Sequence, residues 1–163
     1  MGQFFGKYDT ICSVFVKESA VKDDDIYIYQ SDFGYLRDDG LMVIALKGTL
    51  TDGASIPRLM WRVCGHPLSG QNKFWAAGHD AGYKGTVIII DTNILQPCTP
   101  NRVFRMWRTL NNDKAFIHRK DLPRSWWDKN MAMCMKDCGE PAWKIALVYA
   151  GVRIGGMFSF KKL

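Results

Sequence analysis

The strongest constraint on the fold is a change of texture near Pro57. Before it, apolar residues come in short β-branched and aromatic runs; after it, they recur mostly at helical spacing. Thr10–Val16, Asp25–Tyr29 and Leu41–Leu46 read as strands, parted by the turn-rich Ser31-Asp-Phe-Gly34 and Asp38-Asp-Gly40. Asp-Gly between apolar runs signals a hairpin, because glycine accepts the positive φ of a tight turn. Beyond Pro57, a short helix is expected over Arg58–Cys64 and longer ones over Gln71–Tyr83 and Asn101–Leu110, the last behind Pro100. Ser125 reads as the N-cap of a helix from Trp126 to Met135 that Gly139 ends. A final helix starts near Pro141 and carries Trp143, Ile145, Val148, Tyr149 and Val152. Val87-Ile-Ile-Ile90 is β-prone but short and isolated, and is read as an inserted strand or loop. The expected class is α+β, a small N-terminal antiparallel β-sheet packed on a C-terminal helical half. One domain spans residues 1–163: 1–50 mainly β, 51–83 a motif loop and a His-Asp helix, 84–123 an insertion, 124–163 helical.

At 163 residues, 47% hydrophobic and 13% aromatic, the chain has enough apolar material for a packed core, which excludes global disorder. The formal charge of +6 permits an anionic partner. Basic residues are densest from Arg102 to Arg124, interleaved with Phe104, Trp107 and Phe116. A solvated helix face over a buried aromatic stripe accounts for that stretch better than a nucleic-acid site, and nucleic acid is not the expected partner. Five cysteines, an odd number without a dense framework, suggest reduced thiols. Cys134 and Cys138 have no second pair of matching spacing, which argues against zinc there. No secretion signal and no apolar run long enough to span a bilayer is visible. Synthesis in a cytoplasm is therefore expected, with the product staying soluble or being released by lysis.

The candidate chemistry centres on Phe74-Trp-Ala-Ala-Gly-His-Asp-Ala-Gly-Tyr83. On a helix His79 and Asp80 border one cavity, and Tyr83 shares their side at spacings of four and three. A His-Asp pair among small and apolar neighbours is costly to bury unless hydrogen-bonded or metal-bound. Gly78 and Gly82, unfavourable inside a helix, imply a close neighbour, either backbone or ligand. Asp52 and Ser55, at the join of the two halves, serve either as helix caps or as a metal ligand with its hydroxyl partner. Asp128 is either a third carboxylate of the site or a charge complementing a helix dipole. One imidazole with several carboxylates suits a divalent ion, zinc or calcium, that acidifies a bound water. Alternatively His79 acts directly as a general base, its tautomer fixed by a carboxylate. Both describe hydrolysis.

Four ordered segments resemble a bacteriophage and prophage family known as domain of unknown function 1353: Thr51-Asp-Gly-Ala-Ser-Ile-Pro-Arg58, Ala76-Ala-Gly-His-Asp-Ala-Gly-Tyr83, Arg124 with Asp128, Met135 and Gly139, and Tyr149-Ala-Gly-Val-Arg-Ile-Gly155. The resemblance marks Asp52, Ser55, Pro57, His79, Asp80, Tyr83, Asp128 and Arg153, and draws Asp52 and Asp128 toward one polar cluster with His79. Two departures stand out: residues 84–123 exceed the family's usual short connection, and Trp127 stands where the family usually has Ala. By association the resemblance implies synthesis in a bacterial host and a metal-assisted hydrolase of a cell-envelope, peptidoglycan-like substrate, with His79, Asp80, Asp128, Ser55 and Tyr83 catalytic and His79, Asp80, Asp128 and Asp52 holding the ion. The alternative is a non-catalytic virion or tail component, partnered by other virion proteins, whose cluster is a hydrogen-bond network.

Overall fold

The computed structural model describes residues 1–6, 27–51, 62 and 72–155. The expected strand at 10–16 lies outside them, as does the short helix at 58–64 apart from the helical Arg62. The strands are β1 (Gln3–Phe5), β2 (Tyr27–Ile28), β3 (Phe33–Leu36), β4 (Leu41–Ala45), β5 (Leu50–Thr51), β6 (Val87–Asp91) and β7 (Phe116–Ile117). The longer helices are α1 (Asn72–Lys84), α2 (Pro100–Met106), α3 (Arg124–Asp137) and α4 (Ala142–Gly155). The architecture is α+β, as expected.

Strands β1, β3, β4, β6 and β7 form, in that order, an antiparallel sheet, while β2 pairs with β5 separately. The β3–β4 hairpin turns at Asp38-Asp-Gly40, where Gly40 has φ +85° and its N–H donates to the Arg37 carbonyl at 3.1 Å. The turn expected at Ser31–Gly34 is shorter than the sequence suggests: Phe33 and Gly34 already belong to β3, paired with Ala45 and Ile44.

Both faces of the sheet are covered. Val43, Ala45, Val87 and Ile89 face one way, into a core shared with Phe74, Ala77, Ala81 and Trp127. Met42, Ile44 and Ile90 face the other way, into a core shared with Val103 and Ala115 and flanked by Phe104, Trp107 and Phe116. Of the two readings of Val87–Ile90 the strand holds, but it is not isolated: it is an interior strand between β4 and β7. A strand buried on both faces needs no polar alternation, so its sequence looks like an unpatterned apolar run. The 84–123 segment therefore supplies two strands and roofs the second face with α2 and the turns after it. Its aromatic residues point into that core, while Arg102 and Arg105 are exposed.

Three helix boundaries also differ. Thr99 caps α2, accepting from the Arg102 N–H at 3.4 Å, and α2 gives way at Trp107–Thr109 to a tighter 3₁₀ turn rather than continuing to Leu110. Helix α3 starts at Arg124 behind Pro123, so Ser125 is not its N-cap. Its end is as expected: Gly139, at φ +78°, donates to the Lys136 carbonyl and the Glu140 N–H to the Met135 carbonyl, the paired bonds of a Schellman stop.

Candidate functional site

Helices α1 and α3 lie close enough for the Trp127 indole to rest on Gly82. A Cβ added at Gly82 would collide with the indole carbons, so any other residue there forces the helices apart or Trp127 out of its rotamer. The close neighbour anticipated for Gly82 is thus the Trp127 side chain. Gly78 has no such need, since a Cβ there would meet Asn130 and Val43 at ordinary van der Waals distances of 3.6 and 3.8 Å.

This approach places Asp128 over His79. The His79 Nε2 lies 3.3 Å from Asp128 Oδ1, and its Nδ1 lies 3.6 Å from Asp80 Oδ1. The imidazole stands between two carboxylates. The Tyr83 hydroxyl donates to the same Asp128 oxygen at 2.5 Å, and its ring lies 4.2 Å from that of His79. The other Asp128 oxygen accepts from Arg153 Nη1 at 3.0 Å and lies 3.7 Å from Arg124 Nε. Arg124 also donates to the Tyr83 oxygen at 3.0 Å and to the carbonyls of Val152 and Arg153 at the end of α4. The Thr51 hydroxyl, on β5, donates to the free Asp80 oxygen. The cluster ties together β5, α1, α3 and α4, with His79 3% and Asp128 0% exposed.

The charges explain one another. Burial disfavours an imidazolium, but hydrogen bonds and charge from Asp128 and Asp80 outweigh it and raise the His79 pKa above its ordinary 6.5. Burial would likewise raise the Asp128 carboxyl, yet His79, Tyr83 and Arg153 hold it down to about 2. Burial, then the hydrogen bond to Asp128, pushes the Tyr83 phenol up.

Four of the expected site residues, His79, Asp80, Tyr83 and Asp128, therefore meet. Asp52 and Ser55 lie outside the described residues. Thr51, Arg124 and Arg153 join the cluster although none was picked as catalytic or metal-binding; the resemblance marked Arg153 and paired Arg124 with Asp128, and their spacing of four falls on one helix because that helix begins at Arg124.

The model of a protein family of unknown function, DUF1353, matches residues 28–152. The chain belongs to that family. Three of the four motif segments of this DUF1353 protein supply described members of the cluster in full, and the fourth supplies Thr51. No curated protein and no solved structure matches the chain.

Among the described residues the donors do not by themselves suit a divalent ion; Asp52, the fourth expected ligand, lies outside them. Both nitrogens of His79 face carboxylates, and a guanidinium lies 3.0 Å from the carboxylate that would have to bind the metal. Among the described residues, no group of three or more His, Cys, Asp or Glu is arranged to hold a metal ion. Among them, too, no helix is long and apolar enough to cross a membrane.

Proposed function

We propose that the His79 cluster is a structural lock and that this DUF1353 protein works through its surfaces, as a non-catalytic component of a phage-type particle. The observation that carries the reading is the placement of both His79 nitrogens against carboxylates. A histidine serving as general base keeps one nitrogen toward a carboxylate and offers the other to substrate or water. Here Asp128 occupies that second position, and Tyr83 and two arginines hold Asp128 in place. The particle assignment comes from the family resemblance, and virion proteins are the partners it implies.

A hydrolase is the second reading, favoured by one contact. Thr51, bonded to Asp80, opens the segment that carries Asp52 and Ser55, so that segment leaves directly from the cluster. In this reading His79 turns from Asp128 toward a water molecule at an envelope substrate.

One paired experiment separates the two. Purified peptidoglycan is incubated with wild type and with His79→Gln, and purified particles are examined by mass spectrometry. The lock reading expects no release of soluble fragments and several copies per particle. Fragment release by wild type that disappears in a folded His79→Gln protein would overturn it, as would particles without the chain.

A further inference from the structure

Helix α4 is apolar nearly all the way round, yet among the described residues only one side of it is covered. Lys144, Val148 and Val152, spaced by four, face inward: the two valines join Trp75, Met131 and Met135, while the Lys144 ammonium is held by Glu140 and Asn72 at 2.9 Å each. At about 100° per residue, Trp143, Ala146, Leu147, Ala150 and Ile154 then fall on one outward stripe. Trp143 is 54%, Leu147 38% and Ile154 69% exposed, and both alanines are exposed as well. These three are half of the exposed large hydrophobic side chains among the described residues; Met1, Ile94 and Met106 belong to other elements. A contiguous apolar stripe marks a binding face where scattered single residues do not.

We infer that this stripe is the contact face of a homodimer, with α4 pairing antiparallel to α4 of a second copy about a two-fold axis between residues 148 and 149. That register sets Trp143 of each copy against Ile154 of the other and Leu147 against Ala150, so the mid-stripe leucine meets a small residue. Charge favours the same occupant. The chain carries +6 and repels its own copies, so self-association needs a face without net charge. This one qualifies: Lys144 is turned inward onto Glu140, and Arg153 at the stripe's edge is paired with Asp128. Among the described residues, the same lack of free cations along this helix disfavours an anionic lipid surface, which a membrane-lying helix meets with Lys and Arg beside its apolar face. The stripe is roughly 16 Å long and one helix wide, which puts the contact at the small end of specific interfaces and makes the dimer reversible. The inference is independent of whether the His79 cluster is a lock or a catalyst.

Sedimentation velocity on the full chain between about 5 and about 500 μM, a range suited to a small interface, tests it. Wild type shifts with concentration from 18.6 kDa to twice that mass. Leu147→Glu and, separately, Ile154→Glu weaken the association at least about tenfold while leaving the thermal midpoint within about 3 °C, because both side chains are already exposed. Ile94→Glu, exposed elsewhere, leaves the dimer intact. A wild type that stays monomeric throughout overturns the proposal, as does a Leu147→Glu protein that associates like wild type. So does wild-type binding to phosphatidylglycerol vesicles, lost in Leu147→Glu, in the absence of self-association.

Discussion

An imidazole held between two carboxylates stabilises the fold most when it is charged. His79 has a raised pKa in the folded chain, so its contribution is complete below its ordinary 6.5 and fades as the pH climbs through the higher folded value. Asp128 acts in the opposite sense. Its carboxyl is held down to about 2, so its contribution is present above the ordinary 3.8 and lost as the pH falls toward 2. Stability from this cluster therefore peaks between about pH 4 and 6.5 and declines on either side. Urea unfolding from pH 5 to 9 checks the upper limb. Wild type loses stability across that range, whereas His79→Gln, which cannot gain a proton, is weaker at pH 5 by about 3 kcal/mol and nearly flat above it. Equal slopes for the two proteins would remove the imidazolium from the account. The sequence already exposed much of this cluster: His79, Asp80 and Tyr83 announce themselves through helical spacing in an apolar setting, whereas Asp128 reads equally as a site carboxylate or a helix-dipole charge until the family resemblance draws it in. Thr51 did not, because a hydroxyl bonded to a carboxylate 29 residues away leaves no local trace.

Among the elements, the α1–α3 crossing decides whether the cluster exists at all. Trp127 is a large residue at a helix contact, and Gly82 makes room for it by having no side chain. Gly82→Ala puts a methyl into the indole, so the helices must separate or Trp127 must leave its rotamer, at a cost of roughly 1–3 kcal/mol, occasionally more. Alanine ordinarily gains about 1 kcal/mol over glycine inside a helix, which makes the sign of the effect diagnostic. Thermal unfolding of Gly82→Ala and Gly78→Ala compares them directly. Gly82→Ala is expected to be destabilised, and Gly78→Ala neutral or stabilised, since its methyl meets only ordinary contacts. The sequence showed both glycines as anomalies without distinguishing them, because the distinction depends on which helix lies opposite. The same limit applied to β6. Val87-Ile-Ile-Ile90 carries no polar residue to reveal a face, and only a cover on each side of the sheet explains why it needs none.

At the scale of the whole molecule, that second cover is what residues 92–116 provide. From sequence the stretch read as an insertion added to a complete domain, its basic residues a solvated helix face over a buried aromatic stripe. Its aromatic side chains close the sheet: Phe104 lies over Gly34 and 5.6 Å from the Phe5 ring, and Val103 and Ala115 are fully buried against Met42, Ile44 and Ile90. Asp32 fastens it from the other side, accepting from the Trp107 indole at 3.0 Å and pairing with Arg108 at 2.7 Å. An appendage that served only a partner could be damaged without harm to the domain; a roof over β4 and β6 could not. Val103→Asp places a carboxylate in this layer with no cation among its core neighbours, and the expected loss is about 3 kcal/mol or more. Hydrogen exchange locates the consequence. Because β4 and β6 carry both cores on opposite faces of the same backbone, their amides should lose protection together with those of α1 and α3, as one cooperative unit. If only the amides of 92–116 became labile while β4, β6 and the His79 helix kept wild-type protection, this layer would be separable from the domain, and the view of a roof shared by the whole fold would have to be abandoned.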